Sequence, residues 1–309
     1  MTPLQSAACP GVAVGSGVVR AGASSWADRS LVRAGGFYPR KTMTATERLD
    51  YYASRLPLAE IATTFRFPPT PDLARQWVER TPDGFVFDLR AWSLLTGSPT
   101  LPDSLWPDLA SEVRPECRDR RRLYPQHLSD EAMEECWGRF AHAVRPLSEA
   151  GRLGVVLLRY PSWFTPRAEA WAALAAIPHR LPHVKVAVEL RSPKWWEPQA
   201  TESTLEFLED HGIGLVCVDG PATGEAAAPA VVAATSDVAV VRFSGRRADP
   251  DDPWPWPYRY AADELESWAP AIRELAASST ETHLLFENTA GTDAVDNAGM
   301  ALAIAAGLG

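Results

Sequence analysis

Five arginines come directly after short apolar runs at intervals along the chain. They are Arg66, Arg90, Arg159, Arg191 and Arg242. An arginine that follows an apolar run is hard to explain as solvated surface, and its planar guanidinium suits the oxygens of phosphate and carboxylate. These residues predict a site for a small phosphate- or carboxylate-bearing ligand.

Four carboxylates occupy comparable positions, namely Glu60, Glu189, Asp219 and Glu287. Burial and neighbouring arginines would set their pKa values, which is how a carboxyl group is adapted to acid–base catalysis. We take Glu60, Glu189 and Asp219 as the candidate catalytic residues. An alternative stays open, in which two or three of the arginines simply neutralise the four carboxylates.

Glu189 and Arg191 stand two residues apart in a strand-like run and therefore share one face of the strand. Both are predicted to point into the site, with Glu189 orienting Arg191, and with Arg191 and Arg242 holding the ligand's anionic group. The other interpretation is a charge pair that only orders this end of the strand, because a buried carboxylate needs a partner.

Further candidates for ligand binding follow other apolar runs. Besides the arginines Arg90, Arg159, Arg191 and Arg242, we expect contacts from Trp26, Thr64, Trp195 and Asn288. The tryptophans could stack on a sugar or a base. Packing of loops over the end of the fold explains them equally well.

Metal and cofactor motifs do not stand out in the sequence. The six histidines and four cysteines lack the spacing of zinc ligands, and no metal site is predicted. Neither a phosphate-binding glycine loop nor a Gly-x-Ser-x-Gly elbow is present. The cofactor therefore stays unknown, and whether the chain is an enzyme, for instance a hydrolase or lyase, stays undecided.

Eight short apolar runs would position these residues, because helical patterns separate most of them and alternating β and α elements imply a parallel sheet. Eight such units predict a TIM-type (β/α)₈ barrel, in which side chains at the C-terminal ends of the strands line a common mouth. An open doubly wound sheet is the alternative fold. The predicted strands are residues 18–23, 58–63, 85–89, 153–158, 184–190, 214–218, 238–243 and 283–286.

The 309 residues suit one such domain, predicted over residues 18–309. Residues 1–17 are predicted to be a flexible N-terminal segment. Residues 97–125, which are rich in proline and arginine, interrupt the alternation after the third predicted strand and are predicted to be a long insertion.

The formal net charge of −9 disfavours nucleic acid as a partner, although a local basic patch such as the arginines within residues 118–122 keeps that alternative open. No run approaches the length of a membrane span and no signal peptide precedes the first strand, so we expect a cytoplasmic protein with no membrane partner.

The segments around the predicted strand ends, in this order, resemble the YecE-like family, also called domain of unknown function 72. The resemblance runs from about Gly22 to the end of the chain and implies a (β/α)₈ barrel; it assigns no activity, and nucleic-acid suggestions for the family rest on fold analogy. Its matching segments include residues 22–26, 37–39, 51–53, 59–65, 153–158, 188–191, 218–219, 241–243 and 286–288.

This chain keeps some residues of the family pattern and departs from others. It retains Glu60, Glu189, Arg191, Asp219, Arg242 and Asn288. It carries Ala62, Arg66, Gly97, Arg159, Ser244 and Glu287 where the family usually has other residues, among them a glutamine at 159, a histidine at 244 and an asparagine at 287. Three hypotheses follow: an enzyme for a small anionic substrate, a nucleic-acid-binding or phosphodiester-processing barrel, and a non-catalytic metabolite-binding barrel.

Overall fold

The apolar runs form a closed barrel of eight parallel strands in the computed structural model, which describes residues 9–221, 231–246, 257–288 and 290–309. Each barrel strand pairs with the next along the chain, and the last pairs with the first. The predicted (β/α)₈ barrel is thereby confirmed as a TIM-like barrel. The strands are β1 (Val12–Val14), β2 (Gly17–Ala23), β3 (Leu58–Ile61), β4 (Val86–Arg90), β5 (Leu153–Tyr160), β6 (Val186–Leu190), β7 (Gly214–Asp219), β8 (Val238–Phe243) and β9 (Glu281–Phe286).

The first strand, β1, lies outside the barrel and pairs antiparallel with β2. A tight turn joins the two strands, with Gly15 in the left-handed region at a φ of 57°. Part of the predicted flexible segment, residues 12–17, thus forms a hairpin, and residues 1–8 lie outside the described part of the chain.

Helices follow most strands and cover the outside of the barrel. Ser129 caps the longest one, accepting a hydrogen bond from Ala132 N at 3.2 Å, as its position in the sequence predicts. The helices are α1 (Arg29–Ala34), α2 (Ala45–Ala53), α3 (Pro71–Glu79), α4 (Asp130–Glu149), α5 (Ala168–Ala175), α6 (Ile177–Arg180), α7 (Pro198–Asp210), α8 (Ala262–Glu266), α9 (Ala269–Ser278) and α10 (Asp293–Ala306).

Alternation along the strands divides the buried residues into two groups. One face of each strand packs against the helices in the larger core. The opposite face forms a separate cluster that fills the barrel interior, made of Leu58, Val86, Val155, Leu157, Ala187, Val216, Val238, Val240 and Leu285. Residues two positions further along several of these strands must lie above this apolar plug, at the C-terminal mouth.

The segment of residues 97–125 has no long element of its own. It forms short 3₁₀ turns, and isolated bridges join Thr100 to Leu123 and Val113 to Leu128. Trp106 anchors it, with its ring 5.2 Å from that of Trp92 and 5.4 Å from the guanidinium carbon of Arg139 on α4. The arginines of residues 118–122 are exposed.

A polar group lies inside the barrel on the N-terminal side of the mouth. The imidazole Nδ1 of His283 lies 3.0 Å from both carboxylate oxygens of Asp88, and its Nε2 lies 3.3 Å from Glu281. Arg20 pairs with Glu281 at 2.6 Å, which extends the group to the N-terminal rim. Opposite charges among these residues compensate each other, so these charged groups at this end of the barrel interior are all paired.

Candidate functional site

Six charged side chains meet at the C-terminal mouth of the barrel. Five come from different strands, and the sixth follows β9 directly, two residues beyond the interior Leu285. We call this set the mouth ring; in order of contact it consists of Glu60, Arg90, Glu287, Arg159, Glu189 and Arg242. Acidic and basic residues alternate around the whole ring.

Glu60 is fully buried and receives donors on both oxygens. Arg90 donates to Oε1 at 2.7 Å, and Arg242 donates to Oε2 at the same distance. The hydroxyl of Ser24 also donates to Oε2, at 2.8 Å. Both oxygens of this carboxylate therefore accept hydrogen bonds from protein groups.

Glu189 and Glu287 complete the ring through further ion pairs. Arg242 Nε donates to Glu189 Oε2 at 2.9 Å, and Arg159 Nε lies 2.7 Å from Oε1 as an ion pair without hydrogen-bond geometry. Glu287 accepts from Arg90 at 2.8 Å and from Arg159 at 3.0 Å. The predicted alternative, in which arginines neutralise strand-end carboxylates, thus describes these three glutamates.

Three positive and three negative charges make the mouth ring neutral. Burial by itself raises the pKa of Glu60, but Arg242 and Arg90 outweigh it and hold that pKa below its ordinary value. The same opposition acts on Glu287, where Arg159, Arg90 and Arg242 overcome burial and lower the pKa. Both carboxylates are ionised at neutral pH and so hold no proton to donate.

Two polar groups at the C-terminal end of β8 lack a hydrogen-bond partner within the described chain. They are the Nη2 of Arg242 and the hydroxyl of Ser244, and both residues are buried. Because the two residues are two positions apart, and the backbone N–H of Ser244 continues the ladder to Asp219 O at 2.8 Å, their side chains share one face. A buried polar group without a partner is costly, so this pair points to a ligand or water.

Asp219 belongs to a different cluster, which packs beside the mouth ring at the ends of β7 and β8. Arg246 pairs with its carboxylate at 2.6 Å, Tyr260 donates to Oδ1 at 2.9 Å, and Trp268 donates to Oδ2 at 2.6 Å. This arrangement secures the segment before α8 to the barrel, and it gives the predicted catalytic role of Asp219 no support.

The structure places the other predicted ligand-binding residues mainly in packing roles. Trp26 packs edge-on against Trp77 and Phe87, and the single hydroxyl proton of Thr64 is shared between Ile61 O and Arg90 O. The predicted contacts of these residues with a ligand remain predictions.

Trp195 and Asn288 are almost fully enclosed. Trp195 donates to Phe164 O at 2.7 Å and has no exposed surface for stacking. Asn288 donates to Tyr258 O and to Asn297 of α10, both at 2.9 Å. Arg191 is half-buried just beyond β6, whereas both oxygens of Glu189 face Arg159 and Arg242.

Two residues of the site were not among the predicted site residues. Glu287 and Ser244 both stand at strand ends, two positions beyond interior residues of their strands, and that spacing is the signal that could have identified them. Within the described residues no group of histidine, cysteine, aspartate and glutamate is arranged to hold a metal ion. None of the described helices is long and apolar enough to cross a membrane.

The closed parallel barrel and its charged mouth define a TIM-like barrel protein. A family profile described as "Protein of unknown function DUF72" matches residues 20–307, and the chain belongs to the DUF72 family. It is 29% identical over 287 residues to the UPF0759 protein YunF of Bacillus subtilis (strain 168), which covers 89% of this chain and 90% of that protein.

Solved structures share the fold. A DUF72 family protein from Enterococcus faecalis V583 matches with a TM-score of 0.71 at 23% identity, over 93% of this chain and 96% of the other. A second, from Thermotoga maritima MSB8, matches with a TM-score of 0.69 at 23% identity, over 92% and 97%. At these identities the likeness supports the barrel alone.

Proposed function

We propose that this chain binds a small phosphate- or carboxylate-bearing ligand at the C-terminal mouth of the barrel, through Arg242 and Ser244. One observation carries the proposal: the Arg242 Nη2 and the Ser244 hydroxyl are buried at the end of β8 and lack a partner within the described chain. A guanidinium only donates hydrogen bonds, so the atom that meets Nη2 must be an acceptor such as an anionic oxygen.

The mouth ring prepares Arg242 for this contact. Glu60 and Glu189 hold two of its nitrogens at 2.7 and 2.9 Å, which fixes the direction of the third. The donor is therefore already ordered, and binding costs less conformational entropy than it would if the arginine were mobile.

Binding is better supported than a reaction that uses the predicted acid–base residues. Glu60 has both oxygens engaged and a lowered pKa, so it does not supply a proton near neutral pH. Each oxygen of Glu189 also pairs with an arginine, one with Arg159 and the other with Arg242. The non-catalytic ligand-binding barrel thus fits the ring more closely than the hydrolase or lyase hypothesis.

Ser244→Ala tests the proposal without breaking the ring. The variant removes a hydroxyl that has no described partner, so the free protein should keep its stability or gain about 1 kcal/mol. Its affinity for a ligand that contacts the hydroxyl should fall about tenfold. The measurement is the rise in Tm produced by inorganic phosphate, glycerol 3-phosphate and citrate, together with mass spectrometry of metabolites that copurify with the protein.

Ser279→Ala is the matched control. Its hydroxyl is also buried but donates to Leu275 O at 2.7 Å near the opposite end of the barrel. This variant should lower the Tm of the free protein and leave the ligand-induced rise unchanged. An equal ligand response in the Ser244 variant and the parent, or no response of the parent to any anion, would contradict the proposal.

A further inference from the structure

Glu287 is the carboxylate on which all three arginines of the mouth ring converge. Its oxygens lie 2.8 Å from Arg90, 3.0 Å from Arg159 and 3.7 Å from Arg242. Its side chain is 13% exposed, against 0% for Glu60 and 4% for Glu189, so it is the most accessible of the three acidic members.

We propose that the Glu287 carboxylate fills an anion-binding position formed by Arg90, Arg159 and Arg242, and that shortening this side chain uncovers a site for a small carboxylate. Glu287 then acts as an internal occupant of the site. Its carboxylate sets the charge of the mouth, because the arginines are neutralised only while it is present.

The arginines have reasons to stay in place when Glu287 is shortened. Glu60 holds Arg90 and Arg242 at 2.7 Å, and Glu189 holds Arg159 at 2.7 Å. The backbone at residue 287 is held in place without help from the side chain, since its N–H donates to Phe243 O at 2.9 Å. The shortened ring would keep three guanidinium groups against two carboxylates, so one monoanion restores neutrality.

Acetate matches the missing atoms. A Glu→Ala change removes the Cγ methylene and the carboxylate and keeps Cβ, and acetate supplies one carbon and one carboxylate of the same size. Glu→Gly removes one carbon more, for which propionate is the match. The variant with the larger cavity is therefore expected to bind the longer acid.

In the parent protein, a ligand anion at the mouth would compete with Glu287 for the same guanidinium groups. That consequence rests on the proposed function, whereas the uncovered site in the shortened variants does not. Glu287 would thereby limit the mouth to ligands that can either displace its carboxylate or bind beside it through Arg242 and Ser244.

The experiment measures Tm for Glu287→Ala in sodium acetate and in sodium chloride of equal ionic strength. The variant should melt below the parent in chloride. Acetate at about ten times its Kd should raise the variant's Tm by about 2 °C, with no comparable rise in the parent. Glu287→Gly should prefer propionate to acetate.

Glu287→Gln is the matched control, because it removes the charge but fills the same space. It should be destabilised without any acetate response beyond that of the parent. If Glu287→Ala does not fold in chloride, its refolding yield in acetate against chloride becomes the measurement.

Equal acetate responses in the Ala and Gln variants, or no response in either, would overturn the internal-occupant proposal. Acetate rescue together with a parent protein that ignores all anions would instead contradict the proposed function alone.

Discussion

Arg242 organises the mouth more than any other single residue. Its guanidinium is completely enclosed and touches Glu60 and Glu189, while Glu287 lies 3.7 Å away. Burial opposes its charge, and the three carboxylates outweigh that effect and raise the pKa of Arg242 above its ordinary value. An enclosed arginine of this kind is tolerated only while its partners remain, so the ring members depend on one another.

Glu60→Gln tests that dependence. The change keeps the size of the side chain but leaves Arg90 and Arg242 short of one negative charge inside the protein. We expect the free energy of unfolding, from urea denaturation at pH 7, to fall by about 3–5 kcal/mol. Asp72→Asn, which breaks an exposed pair with Arg75, is the control and should cost less than about 1 kcal/mol. Similar losses in both variants would show that the enclosed arginines do not depend on Glu60.

Two departures from the family pattern contact each other. Arg159 and Glu287 stand where the YecE-like family usually has glutamine and asparagine, and here they form an ion pair at 3.0 Å. The sequence allowed both to be placed at strand ends, because each follows an apolar run. It could not show that they meet, because the pairing of side chains around a barrel depends on the stagger between strands.

At the scale of elements, the pairing of β4 with β5 has an irregular register, and the Asp88 side chain accepts a backbone hydrogen bond at the irregularity. The register advances from Phe87 opposite Leu153 to Leu89 opposite Val156, so β5 has one extra residue. The N–H of Val155 donates instead to Asp88 Oδ1 at 3.0 Å. Gly154 lets β5 pass this close to Asp88.

Gly154→Ala should therefore destabilise the barrel. A Cβ at this position would lie 2.4 Å from Asp88 Oδ1 and 2.7 Å from His283 Cε1. We expect a loss of about 1–3 kcal/mol in the free energy of unfolding. Gly138→Ala on α4 is the matched control, since its Cβ meets nothing within 4 Å, and it should add about 0.5–1 kcal/mol. Chemical denaturation of both variants checks the contrast, and a neutral Gly154→Ala would refute it.

The barrel strands were predictable from sequence because both faces of each are buried, which leaves apolar runs with clear limits. Helices were predicted less completely. The helical pattern of residues 261–277 is continuous in the sequence, but the structure breaks it into α8 and α9 around Trp268, whose indole N–H donates to Asp219. A tertiary contact of that kind does not alter the hydrophobic periodicity of the sequence, and a helix as short as α1 is too short to show that periodicity.

At the scale of the whole molecule, the charged residues that the structure describes inside the barrel form two separate groups. The mouth ring lies at the C-terminal end, and His283 with Asp88, Glu281 and Arg20 lies toward the other. The sequence revealed the first group in outline, because its members end apolar runs. The second was not predicted, since a histidine inside an apolar strand is equally consistent with simple packing.

That second group should make the stability of the barrel depend on pH. Burial by itself lowers the pKa of His283, but Asp88 and Glu281 outweigh it and raise the pKa from 6.5 to about 9. The folded state therefore holds a proton that the unfolded chain releases above pH 6.5. The resulting stabilisation is complete below pH 6.5 and is lost as the pH rises through about 9.

The free energy of unfolding should fall between pH 6.5 and 9 by up to about 1.4 kcal/mol per pH unit, and then level off. Urea denaturation at a series of pH values measures the slope. His283→Gln should remove it, because the substituted amide does not titrate, whatever its effect on stability at a single pH. A variant that keeps the slope of the parent would show that another group is responsible, and that the Asp88 and Glu281 carboxylates do not hold the proton on His283.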